Sequence, residues 1–188
     1  KEATDLLISH NKTALEDWVD RDDAEYLINV FHDAKEYGSI LNVNPINFEA
    51  IEKRLKDIKN GEILDMFELQ QRNVILDKIP PLVKQARIMS GKYDVVCTNP
   101  PYMGNSDMNS KLCEKLKNQY PITKRDLSTV FMERGLRMLS IRGFLAMINI
   151  PSWMFITTYY TFREYLIDNT TIINMLHLGR GIFGSDYG

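Results

Sequence analysis

The first third of the chain carries apolar residues at three- and four-residue steps. This spacing predicts helix over residues 13–37, with Gly38 as its natural stop. The next ten residues, 39–48, predict a strand or an extended connector. Phe48 to Ile58 predicts a short helix, because its apolar residues fall on one side.

A longer amphipathic stretch follows at residues 63–89. Proline lacks the backbone N–H that an α-helix uses, and its ring clashes with the preceding turn. Pro80-Pro81 is therefore predicted to kink or break this helix.

After residue 92 the pattern changes to short β-branched runs that alternate with helical segments. Three runs predict strands, the first two of them buried: 93–98, 144–150 and 171–176. Between them the sequence predicts a basic helix at 111–118, a helix of about 15 residues capped by Asp126, a turn at Arg142-Gly143 and a helix at 159–166. The order strand, helix, strand, helix, strand predicts a parallel α/β sheet with right-handed crossovers.

The composition is that of a globular domain, since 44% of the 188 residues are hydrophobic and 26% are charged. A wholly disordered chain and a collagen-like scaffold are excluded. No apolar run approaches the roughly 18 residues of a membrane span and no signal peptide is recognisable, so we expect no membrane association and a cytoplasmic location. Cys97 and Cys113 match no metal spacing and no disulfide framework. The chain starts at Lys1 rather than Met and stops at Gly188, and we expect a piece of a longer protein.

The charge is uneven, although the net value of −2 excludes a uniformly basic nucleic-acid binder. Residues 1–33 hold nine acids against three bases, whereas residues 111–142 hold eight bases against three acids. A solvated helix face is the commoner explanation of such a basic stretch. A surface that faces phosphates is the alternative.

Asn99-Pro100-Pro101-Tyr102 is the most informative stretch. It follows the first predicted strand, and ligands in parallel sheets bind beyond the carboxyl ends of strands. The prolines stiffen the loop, while the Asn99 side chain and a backbone carbonyl can together accept both hydrogens of one planar amino group. Tyr102 offers an aromatic face for the ring that carries the amine.

Two such acceptors favour a tetrahedral nitrogen and stabilise the positive charge that forms as the amine attacks an electrophile. The motif therefore predicts group transfer to an aromatic or amide NH₂. A rigid turn with a capping tyrosine is the purely structural alternative.

The stretch DVVCTNPPYMG resembles motif IV of the amino methyltransferases that use S-adenosylmethionine, whose DNA adenine-N6 branch carries Asn-Pro-Pro-Tyr. Residues 126–155 resemble motifs V and VI of that branch, and residues 170–188 resemble its approach to motif VIII. The Met-Gly after the motif and the segment HLGRGIF are most similar to the large PglX-type adenine methyltransferases of BREX phage-defence systems. The resemblance covers about Leu82 to Gly188 and implies the C-terminal half of a Rossmann-like catalytic domain.

The resemblance also implies roles for the motif residues. Asn99 and the carbonyl of Pro100 would bind the target amine, and Tyr102 would stack on the flipped adenine. Phe183 would pack against the same base, with ordinary packing as an equal alternative. Extrusion of the target is required, because N6 of adenine is paired inside a duplex.

For the cofactor, the resemblance implies that Pro101, Leu127 and Phe131 line the adenine pocket of S-adenosylmethionine. Helix core explains Leu127 and Phe131 equally well. The family's glycine-rich cofactor loop precedes motif IV, but no glycine before Asn99 forms a Gly-x-Gly. We therefore expect the chain alone to bind S-adenosylmethionine weakly or not at all, and to be inactive.

The implied domains are a mostly helical inter-motif segment at residues 1–61, next to the cofactor motifs, and the back half of the catalytic domain at 62–188. The implied partner is double-stranded DNA, bound through the longer protein, and other defence proteins are further candidates. No target-recognition domain is recognisable in the chain.

The remaining candidates are weaker. Gly179-Arg180-Gly181 lacks the strand–loop–helix order of a phosphate cradle. Trp153 follows a strand end and is expected to pack in the core, with a wall of the base pocket as the alternative. Asp126 is as well explained by a helix cap as by a site role. The histidines show no ligand spacing, and no metal is expected.

Two other functions remain open. Asn-Pro-Pro-Tyr also occurs in methyltransferases that act on glutamine amides of release factors and on guanine amines of ribosomal RNA. The longer protein could also be a non-catalytic defence subunit that keeps the fold to bind DNA or a partner. The resemblance beyond motif IV favours DNA adenine.

Overall fold

A computed structural model describes Leu7 and residues 21–62 and 65–179. The chain divides into two compact units, residues 1–92 and residues 93–188. Each unit is described by itself. The predicted domains, residues 1–61 and 62–188, were defined by sequence motifs, whereas the two units are defined by their compactness. The predicted domain boundary therefore stays a prediction.

The first unit is helical. Its helices are α1 (Arg21–Val30), α2 (Ala34–Tyr37), α3 (Phe48–Asn60) and α4 (Met66–Ser90), with a 3-10 turn at Gly38–Ile40. Gly38 ends α2 with φ of 52°, as the predicted stop. Residues 41–47 are an extended connector rather than a strand.

Side-chain caps and one apolar core explain this unit. Asn47 Oδ1 accepts a hydrogen bond from Ala50 N, and Asp65 Oδ1 accepts one from Glu68 N, so α3 and α4 both begin at capped positions. The predicted apolar side of α3 is buried, and it packs with residues of α1 and α4 into one cluster: Leu27, Phe48, Ile51, Leu55, Ile58, Ile75, Ile79 and Val83.

The predicted break at Pro80-Pro81 is wrong, because α4 continues through both prolines. Both prolines are exposed, so the carbonyls four residues earlier can be hydrated on that side of the helix. Ile79 and Val83 flank the pair and are buried in the core. Their burial offsets the cost of the two missing hydrogen bonds.

The second unit combines helices with a small parallel sheet. Its order is β1 (Tyr93–Thr98), α5 (Ser110–Gln119), α6 (Leu127–Arg137), β2 (Leu139–Met147), α7 (Ser152–Phe155), a 3-10 turn at Thr157–Tyr159 and α8 (Tyr160–Asn169). β1 pairs with β2 in parallel, which confirms the predicted strand direction. The connection between them runs through α5 and α6, as a parallel crossover requires.

The predicted turn at Arg142-Gly143 is wrong, because β2 runs through it. Tyr93 pairs with Leu139 and Val95 with Phe144, so the ladder contains an irregularity in β2 at this point. Arg142 has φ of 67°, and a Cβ at Gly143 would lie 2.9 Å from the Tyr93 carbonyl oxygen. Gly143 therefore does indicate an irregular backbone at this point, but the irregularity is a bulge inside the strand.

The predicted third strand at 171–176 is also wrong, because these residues form no regular structure and are mostly exposed. The first two strands are less buried than predicted, with Val95 62% exposed and Phe144 56% exposed. The sheet of the described residues has two strands, so its apolar side chains lack the neighbours that would cover them. None of the described helices is long and apolar enough to span a membrane.

Candidate active site

The Asn99-Pro100-Pro101-Tyr102 motif starts at the carboxyl end of β1. Ile148 N donates to the carbonyl oxygen of Thr98 at 3.3 Å, which extends the pairing one residue beyond β2. The prolines then end the ladder, because they have no N–H to donate. The motif therefore lies where two parallel strands end together, as the sequence predicts.

Asn99 and Tyr102 meet directly. The Tyr102 hydroxyl donates to Asn99 Oδ1 at 2.8 Å, and the Ile148 carbonyl oxygen lies 3.3 Å from the same hydroxyl. Partial burial raises the pKa of Tyr102, so the hydroxyl keeps the proton that this hydrogen bond needs. The ring is 43% exposed, which leaves room for a planar group beside it.

The motif carries two candidate acceptors. An amide oxygen has two lone pairs, so Asn99 Oδ1 can accept a second hydrogen bond while it holds Tyr102. Pro100 is buried and Pro101 is exposed. Within the described ranges no hydrogen bond to the Pro100 carbonyl is found. The arrangement can therefore present two oxygen acceptors and an aromatic face to a planar amine.

Backbone hydrogen bonds tie the loop after the motif to the start of α6. Leu127 N donates to the Met103 carbonyl oxygen at 3.0 Å, and Asn105 N donates to the Arg125 carbonyl oxygen at 2.9 Å. Leu127 is buried beside the motif loop, and Phe131 follows one helical turn later and is half-buried. Two of the three predicted cofactor residues thus lie on the helix that the motif loop contacts.

Two side chains follow their structural interpretation. Asp126 Oδ1 accepts from Ser128 N at 2.8 Å and from Ser128 Oγ at 2.6 Å, so Asp126 caps α6 as predicted. Trp153 packs edge-on against Phe162, with ring centroids 6.3 Å apart, in a small core of the second unit. Phe183 and Arg180 lie outside the described residues, so the proposed role of Phe183 stays a prediction.

Sequence reasoning missed Asn149, which connects the strand ends to α6. Its Nδ2 donates to the Ser128 carbonyl oxygen at 3.4 Å, and its Oδ1 accepts from Ile150 N at 2.8 Å. The available signal was a polar residue at the end of an apolar run, directly before Pro151.

A buried polar network supports the segment before α6, and no pattern in the sequence predicted it. We call it the Glu133 network; its members are Tyr120, Thr123, Thr129, Glu133 and Arg137. Thr123 Oγ1 donates to Glu133 Oε2 at 2.6 Å, and Arg137 forms an ion pair with the other oxygen of the same carboxylate. Arg137 also stacks 4.6 Å from the centroid of the Tyr120 ring. Thr129 Oγ1 donates to the Thr123 carbonyl oxygen at 2.7 Å, which fixes the segment to α6.

Comparisons with known proteins identify the family of the chain. The family model described as Eco57I restriction-modification methylase matches residues 8–183. The chain is 37% identical over 172 residues to the adenine-specific methyltransferase BrxX of Escherichia coli O9:H4 (strain HS), covering 89% of this chain and 14% of that protein. It is 32% identical over 155 residues to the adenine-specific methyltransferase PglX of Lacticaseibacillus casei (strain Zhang), covering 81% of this chain and 13% of that protein.

A third relative is the type II methyltransferase M.BanIII of Aneurinibacillus aneurinilyticus, which is 25% identical over 144 residues, covering 73% of this chain and 23% of that protein. The chain thus spans a small part of the length of each relative. The family match runs through both units and includes the whole Asn-Pro-Pro-Tyr motif. On this evidence the chain belongs to the Eco57I restriction-modification methylase family.

Proposed function

We propose that the chain is part of a Rossmann-like catalytic domain that transfers a methyl group from S-adenosylmethionine to N6 of adenine in DNA, in restriction-modification or phage defence. The observation that carries this proposal is the motif at the end of β1, where Asn99 Oδ1 and Tyr102 lie together. The two relatives above 30% identity are both named adenine-specific methyltransferases, which supports the choice of adenine. A DNA substrate also implies a cytoplasmic location and contacts with other defence proteins.

Asn99 Oδ1 and the Pro100 carbonyl would each accept one hydrogen of the N6 amine. The lone pair of that nitrogen is delocalised into the adenine ring, which makes it a weak nucleophile. Two fixed acceptors favour a tetrahedral nitrogen and stabilise its developing positive charge. The ring of Tyr102 would stack on the adenine after extrusion from the duplex, and Phe183 would contact the other side of the base.

The cofactor would supply a methyl group on a positively charged sulfur. In this chain Pro101, Leu127 and Phe131 would contact its adenine. Pro101 is exposed and Phe131 is half-buried one helical turn after Leu127, so both offer apolar surface to such a ring. These residues fit only one part of the cofactor. The absence of a Gly-x-Gly before Asn99 supports the view that an upstream segment must supply the rest of the site.

The test is Asn99→Ala in a longer polypeptide that adds the upstream cofactor segment to this chain. Transfer of labelled methyl groups to N6 of adenine in DNA should fall by roughly 100-fold, the usual loss when one aimed polar group is removed. Asn73→Ala is the matched control, because Asn73 is an exposed asparagine of α4. Undiminished methylation by Asn99→Ala would contradict the role of Asn99. Methyl transfer to glutamine or to guanine in RNA, rather than to DNA, would contradict the substrate.

A further inference from the structure

A basic cavity of about 260 Å³ lies beside the motif loop. We call it the basic pocket; it is lined by Asn105, Cys113, Lys117, Lys124 and Arg125. None of these residues is acidic. The pocket lies within the stretch 111–142 whose excess of bases left two interpretations open, and it gathers three of the eight bases at one place.

Among residues 21–62 and 65–179, the three cations of the basic pocket have no carboxylate partner. In the part of the chain that the structure describes, no ion pair of Lys117, Lys124 or Arg125 is found. Arg87 gives the contrast, because Glu49 and Glu52 lie 3.0 and 3.1 Å from its guanidinium nitrogens. Like charges around one cavity repel each other, and an anion inside the cavity would remove that repulsion.

A helix cap and buried hydrogen bonds fix the backbone segments that line the basic pocket. Lys117 lies on α5, which Asn109 caps by accepting a hydrogen bond from Leu112 N at 2.8 Å. Lys124 and Arg125 follow Thr123, whose hydroxyl is held by Glu133 of the Glu133 network. A site that is already arranged loses less entropy when a ligand binds.

The third wall connects the basic pocket to the candidate active site. Asn105 N donates to the Arg125 carbonyl oxygen at 2.9 Å, and the Cys113 thiol lies 3.4 Å from Asn105 Oδ1. Asn105 is three residues from Tyr102, so their Cα atoms are at most about 11 Å apart. A DNA strand carries one phosphate per about 3.4 Å of helix axis. A strand with one base at Tyr102 therefore has phosphates within reach of the pocket.

We propose that the basic pocket binds a backbone phosphate of the DNA strand whose adenine enters the motif site. The inference rests on the proposed function and assigns it a strand-positioning contact. Lys117, Lys124 and Arg125 would neutralise the phosphate, and the contact would be independent of base sequence. Holding the backbone next to the target fixes where the extruded base can go.

The first test measures the DNA affinity of the longer polypeptide that adds the upstream cofactor segment to this chain. The probe is a fluorescent duplex with one adenine opposite an abasic site, which lowers the cost of extrusion. Lys117→Gln combined with Lys124→Gln should weaken binding about tenfold near 100 mM salt, and should lower the slope of log affinity against log salt by about one, because one phosphate contact is lost. Lys78→Gln with Lys84→Gln is the matched control, because both are exposed lysines of α4 and the charge change is the same. Equal losses in the two double variants, or no loss in either, would overturn the proposal.

The second test locates the phosphate. A neutral methylphosphonate linkage next to the unpaired adenine should weaken binding of the unsubstituted chain and leave binding of the Lys117→Gln, Lys124→Gln variant unchanged. Equal weakening of both proteins contradicts the proposal. Binding of inorganic phosphate without any effect on DNA affinity contradicts it as well.

The two proposals fail in different ways. If the pocket variants bind DNA normally while Asn99→Ala still abolishes methylation, the pocket proposal is wrong and the proposed function stands. If DNA affinity depends on the pocket but adenine is never methylated, the pocket contacts DNA phosphate and the catalytic role is wrong.

Discussion

The two units differ in which side chains they bury. Residues 1–92 bury apolar side chains of three helices in one cluster, in which Ile51 and Ala86 are fully inaccessible. The described part of residues 93–188 leaves large apolar residues of both strands exposed, and it buries a polar network around Glu133 beside apolar side chains such as Leu116, Val130 and Phe162. The unit that carries the motif therefore depends more on directional polar contacts, and the helical unit depends more on packing.

The largest expected effect tests the packing of the helical unit. Ile51→Ala removes a fully buried side chain and should lower the free energy of unfolding by about 2–5 kcal/mol. Val95→Ala is the matched change in β1 and should cost only about 0.5 kcal/mol, because Val95 is already exposed. Urea denaturation followed by circular dichroism measures both values. Equal losses would contradict the comparison between the units.

An intermediate effect is expected for the Glu133 network. Glu133→Gln keeps the shape of the side chain but removes the charge that Arg137 and Thr123 contact, and should cost about 1–3 kcal/mol. Glu114→Gln is the control, because Glu114 is an exposed residue of α5. Fluorescence of Trp153 in a Trp18→Phe background reports unfolding of the second unit alone. If Glu133→Gln were no worse than Glu114→Gln, the network would not stabilise this unit.

The sequence predicted the local features of both units better than it predicted which side chains of the second unit are buried. Asp126 as a cap, the helix predicted from Phe48 to Ile58 and the motif at a strand end all depend on short-range patterns, and the structure confirms them. Hydrophobic patterns show that residues 171–176 favour burial, but not which element would cover them.

The errors at Pro80-Pro81 and Arg142-Gly143 have a common cause. In each case a local turn or break signal competes with packing or pairing of the element around it. Ile79 and Val83 keep α4 continuous, and pairing with β1 on both sides keeps β2 continuous. The roles of Asn99, Tyr102 and Phe183 in catalysis stay predictions, since they concern bound substrate and cofactor.

The smallest expected effect on stability concerns Tyr102. This residue of the second unit forms a polar contact through its hydroxyl and is partly exposed to solvent. Burial raises the pKa of Tyr102, so the folded state favours the neutral hydroxyl. Its contribution to stability is complete below the ordinary tyrosine pKa and is lost as the pH rises through the raised one. Absorbance titration near the phenolate band should show tyrosines that ionise above the ordinary range, because the pKa values of Tyr159 and Tyr160 are also raised, and Tyr102→Phe should remove one of these components. Because the side chain is 43% exposed, Tyr102→Phe should change the stability near neutral pH only slightly. If Tyr102→Phe instead removed a component in the ordinary tyrosine range, the Tyr102 hydroxyl would not be buried in solution, and the polar side of the comparison would be weakened.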